Sequence, residues 1–274
     1  MESSRIIVPV DFTSASDQAI NQAVFIAGKT AGTILLFHVL ANESSQKSKV
    51  ALSLAEDRLE EVQNKIRKEG THCTYSIATG SIFDEIPAFA NNTAHSIVVI
   101  GTHGIQGLKQ KLLGADILKI ARKITTPCLI IQENCIQRNF NPIVLPVGGH
   151  EGFTELIGAT VRMAGLFKSE VHIYSITRKG DQDYERIREK TLLAEKIFSE
   201  KAIPFKRIKE ESNVISVGYA KQTLQYANMV DAGLIAVMSV KSEEHYYFAQ
   251  ADKETMINNA YNIPVLCASG LIKY

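Results

Sequence analysis

The chain has 274 residues, long enough for two domains of ordinary size. Hydrophobic residues make up 45% and charged residues 22%, which supports a packed core and excludes a fibrous or disordered chain. Thirty Lys and Arg against 29 Asp and Glu leave a formal charge of +1, without the basic excess of a protein that tracks a phosphate backbone, so no nucleic-acid partner is expected.

In chain order, short runs rich in Ile and Val alternate with longer amphipathic stretches. Residues 6–10 read as a first strand. Residues 14–28 follow as a helix that opens on an N-cap serine, Ser14, and closes on Gly28. After a strand at 33–39, the helix at 48–69 carries Leu52, Ala55, Leu59, Val62 and Ile66 at three- and four-residue steps. A strand at 74–78, a helix at 82–91, a strand at 97–100, a helix at 115–123 and a strand at 128–131 complete the series. The strands are apolar on both faces, as buried parallel strands are. Their alternation with helices predicts a parallel sheet with right-handed crossovers and helices on both faces. The polar stretch 132–142, ending in Asn-Pro, reads as a link.

Beyond the link the chain repeats itself. A shift of 137, half the length, lays "IIVPVDF" at Ile6 on "IVLPVGG" at Ile143, with Pro9 over Pro146. The same shift lays Ala27-Gly28 on Ala164-Gly165 and "ILLFHV" at Ile34 on "VHIYSI" at Val171. It also puts "IVVI" at Ile97 on "LIAV" at Leu234, and "TPCLI" at Thr126 on "IPVLC" at Ile263. One offset that holds from end to end is the mark of a duplicated domain. The expected units are residues 1–134 and 141–274.

No apolar run approaches the ~18–20 residues needed to span a bilayer, so no membrane partner is expected. The opening "MESSRIIVPVDF" lacks the basic and long apolar regions of a secretory leader. Four cysteines, Cys73, Cys128, Cys135 and Cys267, lie far apart with no metal spacing, and Cys128 and Cys267 read as small buried hydrophobes. These features read as a reduced, cytoplasmic protein without a metal or redox role.

The chemistry concentrates in "IVVIGTHGIQGLKQKLLGAD", residues 97–116, where an apolar strand runs into Gly101, Gly104 and Gly107, with Gly114 opening a helix. In open α/β sheets, ligands bind beyond the carboxyl ends of the strands. A bare loop there can turn backbone N–H groups toward an anion, and a helix N-terminus adds to the attraction. Either a phosphorylated ligand or turn geometry alone accounts for the glycines. Two other motifs fail: "GKT" at Gly28 has Ala23 where a P-loop needs glycine, and glycines spaced by threes make no dinucleotide fingerprint.

With Val8-Pro9-Val10-Asp11 ending the first strand, His38-Val39 ending the second and Gly101-x2-Gly104-x9-Gly114 after the fourth, the chain resembles the universal stress proteins. "GTHG" followed by "TPCLII" is also that family's wording, strong in the first half and weaker in the second. The resemblance implies two tandem Rossmann-like domains, each a five-stranded parallel sheet of order 3-2-1-4-5. It also implies ATP, with or without Mg2+, bound in the first half only. Carried over by position, Asp11 would lie near adenine and ribose, and Val39 would offer backbone contacts to the base. Gly101, Thr102, His103, Gly104 and Gly114 would surround the phosphates. Pro9, Val10, Phe12, Ile100, Gly107, Ala115 and Asp116 complete the candidate nucleotide-binding set. Ala115 stands where the family has Ser or Thr, and the lost hydroxyl contact costs on the order of 1 kcal/mol.

The second half departs further. Gly148 replaces Asp11, "MSVK" from Met238 to Lys241 replaces "GTHG", and Ala251-Asp252 replaces Gly114-Ala115. Side chains and a carboxylate then occupy the space for phosphate, so no ATP is expected there. Lys241 is read as a solvated loop lysine, and Tyr246, Tyr247 and Phe248 as rings that plug the vacated cleft. No base or nucleophile stands near His103 in sequence, and Lys109 and Lys111 can screen phosphate or lie in solvent. The expectation is an ATP-binding regulator rather than an enzyme, its halves paired as an intramolecular pseudo-dimer through their last strands. A homodimer and an unidentified protein partner are the wider assemblies; an interaction module that binds no nucleotide is the alternative.

Overall fold

The runs of Ile and Val form the strands, and those at the centre of the sheet are buried along their whole length. The computed structural model describes residues 4–42, 45–103, 114–135, 139–148, 152–177, 184–211, 218–240 and 250–270. In the first half these form β1 (Arg5–Pro9), α1 (Ser14–Thr30), β2 (Thr33–Leu40), α2 (Ser45–Lys68), β3 (Cys73–Thr79), α3 (Ile82–Asn91), β4 (Ser96–Thr102), α4 (Gly114–Lys123) and β5 (Cys128–Gln132). The second half repeats the series as β6 (Ile143–Pro146), α5 (Phe153–Phe167), β7 (Val171–Thr177), α6 (Tyr184–Glu200) and β8 (Phe205–Glu211). It ends with α7 (Tyr219–Met229), β9 (Leu234–Met238), α8 (Gln250–Ile257) and β10 (Val265–Ala268).

The strands join into one ten-stranded sheet of order β3-β2-β1-β4-β5-β10-β9-β6-β7-β8. Each half therefore has the order 3-2-1-4-5 that the family resemblance implies. Within each half all pairs are parallel, and at the seam β5 and β10 pair antiparallel, Leu129 opposite Leu266. Central strands β5, β6, β9 and β10 bury every residue, because helices cover both faces. The outer strand β8 instead alternates partly exposed positions with charges such as Lys206, Lys209 and Glu211, which discourage further strand addition. Between β5 and β6, Cys135 and Phe140 are buried, with Phe140 edge-on to Phe167 at 4.7 Å. The described ends of this polar-looking stretch are thus packed against the body.

Helix α1 ends differently from its expectation. Its N-cap is Thr13, whose side chain accepts from the Ser16 N–H in a reciprocal capping box, and Ser14 is the first helical residue. Its C-cap is Ala31 at φ 49°, so the helix runs two residues past Gly28. The glycine that the turn needs is Gly32, where a Cβ would lie 2.7 Å from the Ser4 carbonyl oxygen. Strand β4 also runs further than the apolar run, taking in Gly101 and Thr102 through its register with Ile131 and Gln132.

Candidate functional site

Strand β1 lies between β2 and β4, so the crossovers on its two sides leave in opposite directions and open a cleft at its carboxyl end. Pro9, Val10 and Asp11 leave β1 into that cleft, with Val39 from β2 and Ile100 and Gly101 from β4 on either side. Ile82 and Ile86 of α3 close it, and Ser16, Phe37 and His38 complete its lining. These walls enclose about 70 Å3, less than the roughly 300–1,000 Å3 of complete small-molecule sites. The lining is mostly apolar, and Phe37 is held in place by stacking on Phe89 at 4.2 Å with an 8° interplanar angle.

Local hydrogen bonds shape the strand ends. The Val10 N–H donates to the Phe37 carbonyl at 2.9 Å. His38 donates from Nδ1 to the Val10 carbonyl at 2.6 Å, which places that ring's proton on Nδ1. Asp11 accepts through Oδ1 from the Thr13 N–H at 3.1 Å and the Thr13 hydroxyl at 2.6 Å. It therefore supports the N-cap residue rather than capping the helix itself, and its other oxygen has no partner among the described residues. Phe12 adopts φ 61° and packs on His38 at 4.9 Å, under the Arg58 guanidinium at 4.3 Å. Its role is to turn the chain, and it does not line the cleft.

Gly101 has a packing reason that the sequence did not disclose. A Cβ on it would lie 2.1 Å from the Ala15 carbonyl oxygen and 2.4 Å from the Ala15 carbonyl carbon. Only a bare Cα lets β4 come this close to the first turn of α1. Neither a phosphate nor a turn is needed to explain this glycine.

His103 also has a partner that sequence proximity missed. Its Nδ1 lies 2.7 Å from Glu133 Oε2, and the Ser14 hydroxyl donates to Glu133 Oε1. The parallel register that sets Thr102 beside Gln132 brings these next residues together. Its other ring nitrogen, Nε2, is buried and has no partner among the described residues. Thr102 is buried, and its carbonyl receives the Glu133 N–H at 2.8 Å.

Of the remaining candidates, Gly114, Ala115 and Asp116 form the first turn of α4, and Asp116 pairs with Lys119 at 2.8 Å. Gly104 and Gly107, with Lys109 and Lys111, lie outside the described residues. The structure thus gathers Pro9, Val10, Asp11, Val39, Ile100 and Gly101 around one cleft. Phe12, Thr102, His103, Ala115 and Asp116 stand outside its lining. Ser16, Phe37, Ile82, Ile86 and Glu133 are the residues the sequence reading missed, and His38, quoted there only as part of a motif, joins the lining.

In the second half, the equivalent cleft shrinks to about 10 Å3. Met238 stands in the place of Gly101 and Phe153 in that of Ser16, so side chains fill the volume. Lys253 lines the remainder, almost fully buried, with its ammonium donating to the Val240 carbonyl. Burial and the neighbouring Arg122 pull its pKa down to about 8, against the opposing pull of Cys267 and Asp252. Lys241 and the rings of Tyr246, Tyr247 and Phe248 lie outside the described residues. Among the described residues no cluster of His, Cys, Asp or Glu is arranged to hold a metal ion, and no helix is long and apolar enough to cross a membrane.

Residues 2–132 match the profile of the universal stress protein family. The universal stress protein YxiE of Bacillus subtilis is 25% identical over 146 residues, covering 47% of this chain and 99% of that protein. Universal stress protein G of Escherichia coli O157:H7 is 27% identical over 140 residues, 46% of this chain and 97% of that protein. Among solved structures, a universal stress protein from Archaeoglobus fulgidus superposes with a TM-score of 0.74, covering 98% of this chain and 100% of its own at 17% identity. A Pseudomonas aeruginosa protein of unknown function superposes with a TM-score of 0.61 over 97% of this chain and 92% of its own, at 19% identity. At those identities the superpositions speak for the fold alone. A matching first half, a second half of the same strand order and a shared fold along both converge: residues 2–132 match the universal stress protein family, and the second half repeats the fold of the first.

Proposed function

We propose that the first half binds an adenine nucleotide, ATP with or without Mg2+, and that the chain is a cytoplasmic stress-response regulator whose nucleotide state a protein partner reads. The observation that carries this reading is the apolar cleft at the β1/β4 divide, with a carboxylate at its mouth. A flat base suits the space between Val10, Val39 and Ile86. The open Asp11 oxygen suits a ribose hydroxyl. Beyond β4, the first turn of α4 carries backbone amides that have no partner within the helix, of the kind that favour phosphate. Thr102, His103, Ala115 and Asp116 would then serve the phosphate end, with Gly104, Gly107 and Gly114. The filled second cleft supports a single site per chain. Pairing of the halves through β5 and β10, and any homodimer of chains, would carry the nucleotide state to the partner.

Isothermal titration with ATP tests the reading. One ATP per chain is expected, with affinity lowered by Asp11→Ala. Absence of saturable binding refutes it and favours the second reading, an interaction module without nucleotide, which the loss of a hydroxyl at Ala115 supports.

A further inference from the structure

All four cysteines are buried and none is in a disulfide. Two of them meet at the seam between the halves, where Cys128 of β5 stands directly opposite Cys267 of β10. Opposed residues of an antiparallel pair have Cα atoms about 4.5 or 5.5 Å apart, within the ~4.4–6.8 Å range that a disulfide spans. Their side chains leave the sheet on the same face. Cys73, by contrast, pairs with Ile34.

The end of β10 is tied to the first half. Arg122 of α4 donates from Nε to the Ser239 carbonyl at 2.7 Å, and the Ser239 hydroxyl reaches the Ala121 and Ala268 carbonyls at 3.3 and 3.2 Å. The Ser269 hydroxyl donates to the Ile124 carbonyl. These bonds hold Cys267 against Cys128 rather than leaving the seam to slide. The charges of Lys253 and Arg122 favour the Cys267 thiolate, but burial outweighs them and pushes the thiol up to about 12. Both sulfurs are therefore neutral and unreactive while the seam is closed, and react only when a local opening exposes one of them.

We propose that Cys128 and Cys267 are a redox-responsive dithiol that closes to a disulfide and clasps the two halves covalently across the β5–β10 seam. The oxidant is a hydroperoxide. A local opening of the seam exposes one sulfur, which gives up its proton and attacks the peroxide as the thiolate. The O–O bond breaks, that proton leaves on the departing oxygen, and a sulfenic acid forms with release of water or an alcohol. The second sulfur displaces the sulfenic hydroxyl as water, forming the S–S bond. Two electrons pass from the sulfur pair to the peroxide, and both thiol protons end on the oxygen products. The loop so closed contains nearly the whole second half, so the clasp stabilises mainly by restricting the unfolded chain.

The test treats the native full chain with hydrogen peroxide, quenches by alkylation in denaturant, counts thiols and maps peptides without reduction. Two of the four thiols are lost, and one linked peptide pair contains Cys128 and Cys267. The melting temperature rises by on the order of 10 °C, and a reductant reverses the change. Cys267→Ala abolishes the linked pair, whereas Cys73→Ala combined with Cys135→Ala retains it. Should the alanine variants misfold, the wild-type peptide map decides alone. Four free thiols after an exposure that oxidises the denatured chain overturn the proposal, as does a bridge through Cys73, Cys135 or a second chain.

Discussion

Replacing Gly101 by alanine adds a single methyl group, and its position makes that methyl costly. The new Cβ would sit 2.1 Å from the Ala15 carbonyl oxygen, 2.4 Å from the Ala15 carbonyl carbon and 2.9 Å from the Ser16 nitrogen. Carbon contacts are optimal near ~3.5–4.0 Å, so the overlap exceeds an ångström, and the obstacle is backbone. Helix α1 cannot simply step aside, because the Thr13–Ser16 capping box and the Ser14–Glu133 bond fix its first turn. Overpacking costs about 1–3 kcal/mol, and this site belongs at the upper end. At roughly 2–4 °C per kcal/mol for a chain of this class, Gly101→Ala melts about 6–12 °C below wild type. Gly28→Ala is the matched control: it lies within α1 and its Cβ meets nothing within 4 Å. Removing a helical glycine there gains about 0.5–1 kcal/mol. Thermal denaturation followed by circular dichroism reads both. A Gly101→Ala protein as stable as wild type would show that β4 and α1 are not in this contact, and the packing account of Gly101 would fall.

Other consequences are equally open to measurement. Ala115→Ser restores the missing hydroxyl at the start of α4, and a bond of about 1 kcal/mol tightens ATP about fivefold in titration calorimetry; unchanged affinity would remove Ala115 from the phosphate end. The Tyr226 hydroxyl hydrogen-bonds His172 Nδ1 at 2.8 Å in a buried setting, and the other ring nitrogen pairs with Glu170 at 3.0 Å. Tyr226→Phe orphans that nitrogen and destabilises by about 1–3 kcal/mol, read as a lower urea midpoint. For Lys253 the folded pKa of about 8 lies below the unfolded value, so the unfolded chain holds more protons above pH 8. Its contribution to stability therefore rises with pH from about 8 toward the unfolded lysine value near ~10.4. The difference in unfolding free energy between wild type and Lys253→Met, measured across that window, shows the rise; a flat difference rejects it.

Much of the architecture was legible in the sequence because it is local. β-Branched runs such as "IIVPV" and "LIAV" define buried strands wherever they occur, and the three- and four-residue steps of Leu59, Val62 and Ile66 define a helix face. The duplication was legible because one offset relates both halves. The helix ends of α1 were less so. A hydroxyl residue and a nearby glycine are common signals, while the choice between Thr13 and Ser14, or Gly28 and Ala31, rests on which backbone groups find partners.

What only the tertiary structure decided are meetings between residues remote in sequence. Gly101 is bare because Ala15 passes over it, His103 is held by Glu133 across the β4–β5 register, and Cys128 faces Cys267 across the seam. Met238 and Lys253 close the second cleft from different elements. Periodicity along one segment records which face is buried. It carries no record of which other segment covers that face or at what register, and those two choices are what place a carboxylate, a thiol or a methyl within reach of its partner.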